Sequence, residues 1–204
     1  MCKQQNSTRL VPTFFRCLFR FPQILATRKI NANTLAQKRM AMTNDTHTQD
    51  TCQRITVLRA TENDSKDIWE WRNDELTKQM SITTDSVSWE THSSWYEKSL
   101  VNTNRYLYLG FVNEHEKIGM CRFDVEANTN IAEVSINLNP QYRNKKLSSQ
   151  LLSQAIAKFC EERNTDLAAT IKKTNIGSIK CFVKSGFTFE REDNDYNYYK
   201  QTAK

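Results

Sequence analysis

Ile136-Asn137-Leu138-Asn139-Pro140-Gln141-Tyr142-Arg143-Asn144-Lys145-Lys146-Leu147-Ser148 is the stretch where the periodicity of the chain changes. Up to it, Ala132, Val134, Ile136 and Leu138 alternate with polar residues, the period-two pattern of a strand with one buried face. After it, Leu147, Leu151, Leu152, Ala155, Ile156, Phe159 and Cys160 fall on one helical face. Three cations, Arg143, Lys145 and Lys146, stand just before the first helical turn. The N–H groups of that turn lack partners within the helix and carry the positive end of its dipole. Such a turn is a ready receptor for a pyrophosphate, and it is equally an ordinary basic strand–helix connection.

Working outward toward the N-terminus, Asn128-Thr129-Asn130 marks a turn. Residues 106–112 and 118–123 read as a hairpin about the polar turn 113–117. Ser88 is placed to cap a helix over residues 89–100, and Asp64 or Ser65 to cap one containing Ile68, Trp69 and Trp71. Residues 55–59 form a first strand. Toward the C-terminus come a strand over 167–171, a helix over 176–184 with Gly186 as its terminator, and closing strands over 187–189 and 196–199. The order β-α-α-β-β-β-α-β-α-β-β predicts a mixed α/β (α+β) fold, with a central sheet of six to seven strands covered by about four helices.

The formal net charge of +6 misleads about the folded part. Residues 1–42 hold eight basic residues and no acidic ones; without them, 21 Lys and Arg face 23 Asp and Glu. A nucleic-acid footprint needs its basic charge on the folded domain, so a nucleic-acid partner is not expected. No run reaches the roughly 18 apolar residues of a membrane span. We divide the chain into an N-terminal extension over 1–53, disordered or non-native, and a domain over 54–204. The Arg-rich, acid-free start is either an organellar presequence or an over-extended reading frame whose true start is Met40 or Met42. In both cases residues 1–42 are expected to be dispensable for the fold. The six cysteines form no C-x-x-C pair, so no metal site is indicated; they read as small apolar residues of a reducing, cytoplasmic compartment. Organellar import stays open through the presequence.

Two motifs now carry a resemblance. Arg143, Lys146 and Ser148 occupy the anchor positions of Gln/Arg-x-x-Gly-x-Gly/Ala, and Asn175-Ile176-Gly177-Ser178-Ile179-Lys180-Cys181-Phe182-Val183-Lys184-Ser185-Gly186-Phe187 fits Asn-x-x-Ser/Ala-x-x-x-aromatic-x-x-x-Gly-Phe. In this order and context they resemble the GNAT (Gcn5-related) N-acetyltransferase family over roughly residues 55–200. Trp71-Arg72-Asn73-Asp74, Ser88 to Tyr96 and Gly119 to Asp124 are similar to the branch acting on nucleotide-linked aminosugars, which lies near the ribosomal-protein N-terminal acetyltransferases.

The resemblance implies the GNAT fold, acetyl-CoA as co-substrate and a primary amine as acceptor, without a covalent enzyme intermediate. Ile136, Asn137 and Leu138 would hold the pantetheine by backbone hydrogen bonds. Arg143, Asn144, Lys145, Lys146, Leu147 and Ser148 would cradle the pyrophosphate, with Asn175 and Ser178 beside the pantetheine arm. Arg72, Asn73, His92 and Arg122 are the acceptor-binding candidates, and Trp95 and Asp124 lie in the same region. Glu133 is the candidate base, although an ion pair would explain it equally. Tyr198, with Tyr196 and Tyr199 as alternatives, is the candidate acid, because Phe182 stands where many relatives carry a tyrosine. Lys146 stands where the family has glycine. The expected acceptor is the 4-amino group of a nucleotide-linked aminosugar, a small-molecule partner; a homodimer is compatible with this. A peptide N-terminus is the alternative, and so is a GNAT-fold protein that binds CoA without turnover.

Overall fold

The computed structural model describes residues 54–203. The extension over 1–53, with the proposed start at Met40 or Met42, lies outside the described residues. Seven strands form one sheet in the order β1-β2-β3-β4-β5-β7-β6. They are β1 (Ile55–Arg59), β2 (Arg105–Val112), β3 (Glu116–Glu126), β4 (Ile131–Leu138), β5 (Asp166–Lys172), β6 (Thr188–Glu192) and β7 (Tyr196–Gln201). Five α-helices accompany them: α1 (Ser65–Asn73), α2 (Glu75–Met80), α3 (Trp89–Val101), α4 (Ser148–Glu162) and α5 (Ile176–Lys184). The fold class and, apart from one additional helix, the order of elements along the chain agree with the sequence-based expectation. The additional helix is α2, six residues with no buried side chain, so it has no apolar stripe to read.

The period-two alternation divides the strands between two cores. Tyr108, Cys121, Phe123, Ala132 and Val134 face α4, where Leu151, Leu152, Ala155 and Phe159 complete a buried cluster. Leu107, Leu109 and Met120 face the other way and pack with Ile68 and Trp71 of α1 and Tyr96 of α3. Cys160, expected on the apolar face of α4, is exposed. It sits about 100° round the helix from Phe159, which is fully buried. Gly186 follows α5 with φ +98, the left-handed geometry that ends a helix at little cost for glycine. No helix among the described residues is long and apolar enough to cross a membrane.

All neighbouring strands are antiparallel except β4 and β5, which run parallel. Their pairing lasts only from Ile131, Ala132 and Glu133 to Asp166, Leu167 and Ala168. β4 then runs on to Leu138 beside β3 alone, and β5 runs on to Lys172 beside β7 alone. The two strands diverge, and a gap opens in the middle of the sheet.

Candidate functional site

The gap is where the site is built. At its closed end the Glu133 carboxylate Oε1 accepts a hydrogen bond from the Thr170 backbone N at 2.8 Å, replacing the ladder bond that a parallel partner would have made. Beyond it, a cavity of about 480 Å³ runs between the diverging strands and under α1, α2 and α3. Arg72, His92 and Arg122 line it from the helical side, and Ile136, Asn137, Asn175 and Ser178 line it from the gap side. Seven candidates drawn from five separate segments therefore meet in one space.

The left-handed loop comes next. Asn139 accepts from Gln141 N at 3.1 Å and starts a short 3₁₀ turn. Asn144 then has φ +62 and Lys146 φ +60. Lys146 thus adopts the dihedral that the resembling motif reserves for glycine, at about 1–2 kcal/mol for a residue with a Cβ. Helix α4 then begins with no side-chain cap and no acidic residue in its first turn, so its leading N–H groups stay available. Lys145 lies over the Tyr142 ring at 4.5 Å. Leu147 belongs to the core at 4% exposure, so only its backbone faces the loop. The Arg143 guanidinium turns toward the helical side: Nη2 donates to Asp74 Oδ2 at 2.6 Å and to Thr77 Oγ1 at 2.7 Å. Arg143 holds the Asp74 carboxyl below its usual pKa. Asp74 also caps α2 through Thr77 N, and Thr77 Oγ1 donates to Asn137 Oδ1 at 3.4 Å, which joins the loop to β4.

On the helical side, residues 81–88 cross the cavity as a strap. Trp69 Nε1 donates to Val87 O at 2.7 Å, and Arg72 Nη2 donates to Thr83 O at 2.7 Å. Asn73 exchanges two hydrogen bonds with Val87, donating at 2.9 Å and accepting at 2.8 Å. Asn73 is therefore a clamp on this strap rather than part of the cavity wall, because both ends of its amide are taken. His92 Nε2 meets Ser65 O at 2.9 Å, and the ring packs among Trp89, Trp95 and Tyr96. Burial lowers its pKa, against a smaller opposing effect of the Ser65 carbonyl.

Arg122, in register with Ser135 of β4, lies 5.8 Å above the Trp95 ring. Its Nε is 2.8 Å from Asp124 Oδ2, and the same carboxylate accepts from Arg105 Nε at 2.5 Å. Arg72, Arg122 and Lys172 line the cavity, and among the described residues its wall contains no Asp or Glu.

Tyr198 sits elsewhere. Its hydroxyl donates to Asp193 Oδ2 at 2.7 Å, the Arg191 guanidinium lies 3.5 Å over its ring, and the Asp193 hydrogen bond raises its pKa. Of the alternatives, Tyr199 is buried in the core. Among the described residues no tyrosine is in the cavity wall, whereas Phe182 is, packed edge-on against Phe187. Leu138 continues β4 beyond the wall, and Glu133, Asn144, Lys145 and Ser148 also lie outside it. Asn175 caps α5 by accepting from Ser178 N at 3.0 Å. Sequence reasoning missed Thr77, Ser135, Thr170 and Lys172, which line the cavity. Ser135 was legible as the polar partner in the β4 alternation, and Thr170 and Lys172 in that of β5.

A family model for the acetyltransferase (GNAT) domain matches residues 54–188. No curated protein matches the chain. Among solved structures the chain is similar to a spermidine N-acetyltransferase from Vibrio cholerae in complex with CoA and spermine. The identity is 14% and the TM-score 0.64, over 72% of this chain and 94% of that one. It is also similar to a domain from Methanocaldococcus jannaschii at 23% identity and TM-score 0.63, over 72% and 97%. An aminoglycoside acetyltransferase in complex with coenzyme A matches at 20% identity and TM-score 0.61, over 73% and 95%. At these identities the likeness is one of fold.

Proposed function

The chain belongs to the acetyltransferase (GNAT) domain family, and from that premise we propose that it moves an acetyl group from acetyl-CoA to the 4-amino group of a nucleotide-linked aminosugar. The observation that carries this reading is one continuous cavity, bounded by the unpaired edge of β4 and the start of α5 on one side and by α1–α3 on the other. An acyl donor lying along β4 and an amine entering from the helices would meet there. The pantetheine would pair with the free backbone edge of Ile136 to Leu138, and the pyrophosphate would lie against residues 143–148. For this, Arg143 would exchange Asp74 for the phosphate.

The amine nitrogen attacks the thioester carbonyl, the C–N bond forms, and the C–S bond breaks from the tetrahedral intermediate. Glu133, with one carboxylate oxygen held by Thr170 N, is our candidate to take the amine's proton through water. A backbone N–H near Leu138 would meet the oxyanion. The thiolate's proton has no tyrosine to come from in the cavity wall. Ser178, one turn before Phe182 and in the same wall, is the hydroxyl we favour as its relay.

Trp95 offers a flat face for a base or a sugar ring, and His92, stacked between Trp89 and Tyr96, supports it from behind. A peptide N-terminus would want free carboxylates for its ammonium, but Asp124 is held by Arg105 and Arg122, Glu75 pairs with Lys78, and none of the three candidates, Asp74 included, is in the cavity wall. Binding of CoA without turnover is a second reading, motivated by Phe182. The deciding experiment is acetyl-CoA turnover against UDP-4-amino sugars, N-terminal peptides and polyamines. Aminosugar turnover is expected; acetylation of peptides alone sinks the acceptor, and CoA binding with no turnover favours the second reading. Glu133→Gln keeps an oxygen for Thr170 N and should cost about a hundredfold in kcat. Unchanged turnover across pH removes the base role.

A further inference from the structure

We infer that Arg72 and Arg122 form an oxyanion subsite in the helical half of the cavity, selecting amines that carry a phosphate or carboxylate and rejecting polycationic ones. The inference deepens the proposed acetyl transfer and rests on it. Three observations converge on this pair. Arg72 Nη2 is taken by Thr83 O, but Nη1 is buried with no hydrogen-bond partner. A buried, charged N–H without a partner is an unfavourable state that a bound anion would relieve. Arg122 is similarly undersatisfied. Its Nε lies 2.8 Å from Asp124 Oδ2 but makes no aligned hydrogen bond, and Asp124 is shared with Arg105, so one carboxylate serves two guanidiniums.

The two arginines also repel each other. Burial first, and then the charge of Arg122, lower the pKa of Arg72, while Asp85 offsets less than either. Finally, the wall adds Lys172, whose Nζ donates to Gln79 O, and contains no acidic residue. A polyamine would bring ammonium groups into this positive, partly desolvated space with no carboxylate to meet them. The phosphates of the donor do not explain the pair. The uncapped start of α4 and the cations before it stand ready for them, and residues 143–148 lie outside this cavity wall. A planar guanidinium fork suits phosphate and carboxylate alike.

The test is calorimetry on the full chain saturated with coenzyme A, so that the donor's own phosphate site is filled. The probes are UDP, glutamate and spermine, and a separate titration establishes CoA binding. UDP or glutamate should bind and spermine should not. Arg72→Gln and Arg122→Gln should each weaken the anion by about tenfold or more. Arg122→Lys, which keeps the charge but loses the fork, should fall between. Binding of UDP alone identifies a phosphate subsite, and binding of glutamate alone a carboxylate subsite. Spermine binding more tightly than both anions, or neither anion binding, overturns the proposal. So does an unchanged anion Kd in Arg122→Gln with an unaltered thermal melt. If CoA itself fails to bind, the donor assignment fails, and the same UDP titration and variants on the free protein still decide the subsite.

Discussion

The two sides of the β4–β5 gap hold their working groups by different means. On the donor side the offering is backbone: the unpaired edge of β4, the leading N–H groups of α4, and a loop whose shape is set by φ at Asn144 and Lys146. On the acceptor side the groups are side chains from α1, α3 and β3, kept in place by the strap over 81–88 and by one another. A backbone site tolerates exchange of side chains as long as the path of the chain survives, which is how a lysine occupies a glycine position in the loop. A side-chain site depends on each of its members and on whatever holds the members still.

The sharpest way to break this contrast is to disturb the donor side through its backbone. A Cβ on Gly119 would lie 2.7 Å from Asn137 O and 3.0 Å from Leu138 Cα, both main-chain atoms of β4. Gly119→Ala should therefore cost about 1–3 kcal/mol in a denaturant melt and raise the KM for acetyl-CoA. An unchanged melt would mean that β4 yields freely and that the backbone edge is not a fixed template. Next, Asn73→Ala removes both clamps on Val87. It should cost about 1–2 kcal/mol and raise the acceptor KM while leaving that for acetyl-CoA alone. Equal effects on both substrates would erase the division into halves. Lys146→Gly should stabilise the fold, by about 0.5–1 kcal/mol, because relief at φ +60 outweighs the added freedom of the unfolded chain. Destabilisation would show that the lysine side chain itself supports the loop.

The smallest expected effect is in pH dependence and belongs to His92. Its pKa is lowered from 6.5 in the folded chain, so below about that pH the unfolded chain binds more protons and stability falls. The stability is fully present above 6.5 and declines as pH drops toward the folded pKa. Asp64 and Asp74, also lowered, add their own loss only in the more acidic carboxylate range. His92→Gln should flatten the slope just below pH 6.5, read from thermal melts; an unchanged slope would assign it to other groups.

The contrast also explains what was legible in the sequence. Local repetition announces backbone features: the alternation of Ala132 to Leu138, the helical face from Leu147 to Phe159, and the polar turn between them. Phe182 and Gly186 sit where their motif puts them. The pairing of side chains over long separations leaves no local trace. Nothing near Glu133 in sequence shows that its carboxylate will meet Thr170 N, 37 positions away. Arg143 read as a free cation because Asp74 lies 69 positions earlier. Asn73 carries suitable chemistry, but Val87, 14 positions later, takes both ends of its amide. Helix α2 escaped notice because none of its six residues is buried.

The short β4–β5 pairing has a mechanical corollary. The meander of β1–β4 and the later unit of β5–β7 share only three rungs of sheet, backed by one carboxylate on a main-chain amide. In amide hydrogen exchange, Thr170 should be guarded by a side chain instead of a strand, so its protection should fall in Glu133→Ala. Loss of that carboxylate would remove the pin at the root of the wedge, so one side chain stands between the chemistry proposed for the gap and the elasticity of the sheet.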